Sequence, residues 1–81
     1  MDITYDRAKN ERNIRERGLS FEFAGNFDFG TAVQSVDSRR EYDEIRLVAL
    51  GYLGSRLHVL CYTETPAASA SLASAERMRE R

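Results

Sequence analysis

The chain has 81 residues, 42% hydrophobic and 31% charged, which leaves room for one modest core and excludes the composition of a disordered segment. Twelve Lys and Arg face thirteen Asp and Glu, so no global positive field draws the chain to nucleic acid, and any such contact has to be local. With one cysteine, Cys61, and one histidine, there is no intrachain disulfide and no ligand cluster for zinc, so neither a metal nor another cofactor is expected.

The opening MDITYDRAKN lacks the apolar core of a leader, and nowhere do about 18 apolar residues run together, so neither a signal peptide nor a membrane helix is expected. A cytoplasmic location suits the lone thiol. Residues 3–5 form a short candidate strand, and Asp6 is placed to cap a helix over 7–17 that holds no Gly or Pro. Only Ala8 and Ile14 are apolar there, so the helix should lie on the surface of a sheet until Gly18 closes it. Ser20 can cap a second, short helix carrying Phe21, Phe23, Ala24 and Phe27, whose aromatics should supply much of the core.

Gly30 interrupts, residues 31–36 read as a strand, and 37–44 read as a polar connection. The strongest strands are 45–52 and 57–63, joined by a turn at Gly54 into an antiparallel hairpin. Both are apolar on both faces, which suits central strands covered by helices. Pro66 ends the second, and the Ala/Ser stretch 67–75 leads into a charged end that reads as a helix or a frayed end. The expected fold is α+β, one domain over 1–81 with an antiparallel sheet, two N-terminal helices and a C-terminal helix. A sheet edge left open beside 57–63 makes a homo-oligomer possible.

Three segments, AKNERNIRERGLSF, DSRREYDEIRLVALG and GSRLHVLCYTE, carry a resemblance. The pattern K-N-x-x-N-x-x-K-H-G-x-x-F is met by Lys9, Asn10, Asn13, Gly18 and Phe21, with Arg17 where the histidine stands. D-x-R-x-x-Y-G-E-x-R-x-x-x-x-G is met by Asp37, Arg39, Tyr42, Glu44, Arg46 and Gly51, and G-R-x-x-x-V-x-Y-T in part by Arg56, Tyr62 and Thr63. In this order, over about residues 2–64, they resemble the BrnT family of toxins. The resemblance implies a RelE-like fold and metal-independent endoribonuclease activity on an RNA substrate. It also implies neutralisation by a cognate BrnA-type antitoxin, through which alone the toxin meets operator DNA. Family members carry a last strand of the kind R-I-I-S-x-R-K-A, whereas 68–75 here hold no basic residue. An atypical last strand at about 67–74 opens an alternative, a disarmed homologue acting only in antitoxin binding and operon autoregulation.

Cleaving RNA without a metal needs a base for the 2'-hydroxyl proton, an acid for the leaving oxygen and cations for the phosphorane-like transition state. With the resemblance, the candidate catalytic residues are Arg39, Glu44, Arg46 and Tyr62, and the candidate RNA-binding residues are Lys9, Asn13, Arg17 and Arg56. Each has a plainer reading: Glu44 and Arg46 as a surface ion pair, Arg39 as solvated charge, Tyr62 as edge packing. Asn10 can serve local backbone alone, and His58, between Leu57 and Val59, is better read as a tolerated sheet residue than as a base. Phe21, Phe23, Phe27 and Phe29 are better read as core than as a stacking platform for bases.

Overall fold

The computed structural model describes residues 3–41, 44–65 and 72–81, in backbone alone for 37–41, 44 and 72. Strand β1 (Ile3–Tyr5) leads into helix α1 (Arg7–Arg17) and a 3₁₀ helix (Phe21–Asn26), followed by β2 (Val33–Glu41), β3 (Glu44–Leu53), β4 (Arg56–Thr65) and β5 (Leu72–Glu80). The strands form one five-stranded sheet in the order β1-β5-β4-β3-β2, antiparallel except where β1 runs parallel to β5.

Local chemistry sets the N-terminal third. Asp6 Oδ1 accepts from the Ala8 N–H at 3.4 Å to open α1, and the Gly18 N–H donates to the Ile14 carbonyl at 2.8 Å to close it. Ser20 Oγ accepts from the Glu22 N–H at 3.2 Å, and Asn10 Oδ1 accepts from the Phe21 N–H at 2.7 Å, so helix and cap together fix where the 3₁₀ turn begins. Between β3 and β4, Gly54 adopts φ 65°, the left-handed conformation a two-residue hairpin turn demands.

The core lies on one face of the sheet. Phe21, Ala24 and Phe27 descend from the 3₁₀ segment and its C-cap onto Ala49, Leu60, Tyr62, Ala73, Ala75 and Met78, so the two rings meet a sheet surface of alternating small and large side chains. Phe29 bridges the two sets, its ring 4.9 Å from Phe27 and 6.0 Å, edge-on, from Tyr62. Gly51 is part of the same fit: a Cβ there would lie 2.8 Å from the Ala32 Cβ and 2.9 Å from the Phe27 ring.

Several expectations are corrected. The sheet is mixed rather than antiparallel, and the second N-terminal helix is a single 3₁₀ segment of six residues. The C-terminal segment is no helix: residues 72–80 form β5, between β1 and β4. Helix-favouring Ala, Glu and Arg yield there to the backbone demand of β4, whose outer N–H and C=O groups would otherwise lack partners. Residues 37–41, read as a polar connection, extend β2, while Tyr42 and the stretch 66–71 lie outside the described residues. The edge expected beside 57–63 is closed by β5, and the edge strands of the sheet are β1 and β2. Nor are both faces covered: Val33 and Tyr52, on the face away from the core, stay 69% and 50% exposed. No helix among the described residues is long and apolar enough to cross a membrane.

Candidate active site

Because directly opposed residues in a sheet point to the same side, the register lays out the face away from the core in rows. Arg46, Thr63 and Ser74 form one row, Val48, Cys61 and Arg77 the next, and Leu50, Val59 and Arg79 the third. A β-bulge opposite Cys61 and Tyr62 interrupts β5, and Glu76 is the extra residue. The bulge brings two consecutive side chains, Glu76 and Arg77, toward the same side.

Helix α1 forms the wall beside these rows. Lys9, Arg12, Asn13, Glu16 and Arg17, at helical three- and four-residue spacing, face the strands across a cleft of about 670 Å³. Its floor includes Val48, Val59 and Cys61, and its rim holds six cationic side chains, Lys9, Arg12, Arg17, Arg46, Arg77 and Arg79, against two carboxylates, Glu16 and Glu76. Glu76 is the most closely held of the charged groups: its Oε2 pairs with Lys9 Nζ, and its Oε1 accepts from the Thr63 hydroxyl at 3.4 Å.

What docks α1 here is Asn13. β1 pairs only with residues 73–75, so the outer edge of β5 beyond them needs another partner. The Asn13 amide supplies one: Nδ2 donates to the Met78 carbonyl at 2.9 Å and Oδ1 accepts from the Met78 N–H at 3.0 Å, as a neighbouring strand would. A second Nδ2 bond, to the Leu19 carbonyl at 2.9 Å, ties in the turn after the helix.

Of the expected site residues, the structure brings Lys9, Asn13, Arg17 and Arg46 to one cleft. Asn13 is there as its wall, 5% exposed and with both amide atoms engaged. Tyr62 stands on the opposite face of the sheet, 1% exposed, its hydroxyl donating to Gln34 Oε1 at 3.0 Å. Burial, and then the Glu64 charge, push its phenol above the usual tyrosine range. Arg56 lies at the hairpin end, 2.9 Å from Glu80, a pairing that raises the guanidinium and lowers the carboxyl. The backbone places Glu44 at the start of β3 and Arg39 within β2, while their side chains lie outside the described residues. His58 faces the core side, its Nδ1 2.9 Å from the Arg56 carbonyl.

Arg12, Glu76, Arg77 and Arg79 are cleft residues that sequence reasoning missed. The signal was present for two of them: Arg77-Met78-Arg79 is a polar-apolar-polar strand alternation, hidden inside a run that also reads as a helix. The strand observed here, β5, runs past the stretch 68–75 and carries Arg77 and Arg79. The last strand is therefore not without cations.

The cleft is thus rimmed mostly by arginine, floored in part by Val48, Val59 and Cys61, and open on one sheet face. The chain belongs to the BrnT family: the family model described as the ribonuclease toxin BrnT of a type II toxin-antitoxin system matches residues 5–81. The match includes all of β5. Membership implies an antitoxin partner and an RNA target. No curated protein matches the chain.

Proposed function

We propose that this chain is an endoribonuclease toxin that cleaves RNA without a metal in the cleft between α1 and the open sheet face. The observation that carries this reading is the convergence of Lys9, Arg12 and Arg17 from the helix with Arg46, Arg77 and Arg79 from two strands. Cations so fixed match the phosphate backbone and the charge that grows on a phosphorane-like transition state, while Val48, Val59 and Cys61 offer apolar surface to a base. The same cations repel a divalent ion, and they, rather than a metal, neutralise the phosphate.

A BrnA-type antitoxin is the proposed inhibitor. Leu50, Tyr52 and Leu57 continue the cleft floor across the sheet to Val33, which pairs with Leu50. An amphipathic acidic segment fits that surface, its apolar side on these residues and its carboxylates on Arg46, Arg77 and Arg79.

The test uses a single-stranded RNA oligomer. Cleavage should persist in excess chelator, and Arg46→Ala or Arg79→Ala should weaken binding and lower the log-log salt slope by about one unit each. Cleavage abolished by chelator and restored by a divalent ion would overturn the metal-independent reading. Binding indifferent to both substitutions would remove RNA from the cleft.

A further inference from the structure

With RNA in the cleft, cleavage needs groups there that move protons. The five cleft arginines hold their protons under all ordinary conditions, and the Asn13 amide is spent on backbone. Tyr62, a candidate from the sequence, and His58 sit on the other face of the sheet. Among the described residues that line the cleft, two carboxylates, Glu16 and Glu76, and one lysine, Lys9, remain as exchangers of the usual kind. Glu16 lies on the exposed surface of α1. Glu76 has the opposite character: its side chain is 19% exposed, paired through one oxygen with Lys9, within 3.4 Å of the buried Thr63 hydroxyl through the other, and mounted on the bulge beside Arg77.

The geometry points to Glu76 and Lys9 as the proton-transfer pair of the RNA cleavage, an inference that rests on the cleft being the RNA site. Glu76 takes the proton of a ribose 2'-hydroxyl as the 2'-oxygen forms its bond to phosphorus. The bond from phosphorus to the 5'-oxygen breaks, and that oxygen receives a proton from the Lys9 ammonium. The products are a 2',3'-cyclic phosphate and a 5'-hydroxyl end. The enzyme is left with a protonated Glu76 and a neutral Lys9, already hydrogen-bonded to one another, so one proton passing from Oε2 to Nζ restores the starting state. No co-reactant is needed.

The experiment compares the parent chain, Glu76→Gln, Glu76→Asp and Lys9→Ala on three oligomers of one sequence: RNA, its 2'-deoxy analogue for binding, and an RNA with a bridging 5'-sulfur at one linkage. Glu76→Gln should cut cleavage by about 10²- to 10⁴-fold and abolish the acid limb of the pH-rate profile, with binding of the 2'-deoxy oligomer unchanged or tighter. Glu76→Asp should keep part of the rate and the limb. Lys9→Ala should be slow on RNA and recover on the sulfur-leaving substrate, which needs no acid, whereas Glu76→Gln should not recover. Glu76→Gln cleaving as fast as the parent, or faster, overturns the proposal and leaves the carboxylate as a neutraliser of Lys9. A parent chain that binds the 2'-deoxy oligomer through Arg46 and Arg79 but never cleaves RNA also overturns it, while the binding site stands. Binding indifferent to Arg46→Ala and Arg79→Ala removes the cleft reading and the acid–base pair with it.

Discussion

Replacing Asn13 by Ala separates a structural amide from an RNA-contacting one. The substitution removes three hydrogen bonds and leaves the Met78 N–H, the Met78 carbonyl and the Leu19 carbonyl without their partner in a site that is 5% exposed. At about 1 kcal/mol net for each bond the loss is about 3 kcal/mol. That is a large share of the roughly 5–15 kcal/mol that holds a small domain together. For a chain of this size it corresponds to a fall in melting temperature of about 12–24 °C. Thermal melts followed by circular dichroism give the fall directly, and hydrogen exchange locates it, because the Met78 amide should change from slow to fast. Asn13→Asp should be at least as damaging near neutral pH, since it sets a charged oxygen against two carbonyls, and should recover partly in acid. Below the variant's melting temperature, affinity for RNA per folded molecule should be unchanged. An Asn13→Ala chain that melts where the parent does, keeps a slow Met78 amide and loses RNA would refute the reasoning and make the amide a ligand group.

Gly51→Ala should destabilise by about 1–3 kcal/mol, because the new methyl meets both the Ala32 Cβ and the Phe27 ring, and urea unfolding reads the shift. Tyr62→Phe should leave RNA cleavage intact while losing the bond to Gln34; a fall in cleavage of 100-fold without loss of stability would return the phenol to the site. Its phenol is raised by the fold, so its contribution is full below the unfolded value of about 10 and is lost as pH rises through the folded value, a loss the Phe variant should not show. Asp28 and Glu80 behave in the opposite sense. Held below the usual carboxylate range, Asp28 by the Thr31 hydroxyl and Glu80 by Arg56, they contribute above about pH 4 and lose that contribution as pH falls through their folded values. The double change Asp28→Asn and Glu80→Gln should therefore flatten the acid decline in melting temperature below about pH 4, and an unchanged slope would count against both pairings.

Local signals were legible in the sequence wherever a residue acts on its own neighbours. Asp6, Gly18, Ser20 and Gly54 mark their caps and turn through bonds or dihedrals that involve residues only a few positions away, and each sits where the sequence placed it. The family was legible for a related reason, since its patterns are short and ordered along the chain. Tertiary structure decided what depends on distant partners. Residues 72–80 carry a helical composition, yet β4 offers them a row of unmet backbone groups, and pairing there outweighs intrinsic preference. That pairing turns Arg77 and Arg79 toward Arg46, and its single bulge turns Glu76 the same way, so the cleft is a product of register. A shift of one residue would send each of those charges to the core face, because side chains in a strand alternate sides.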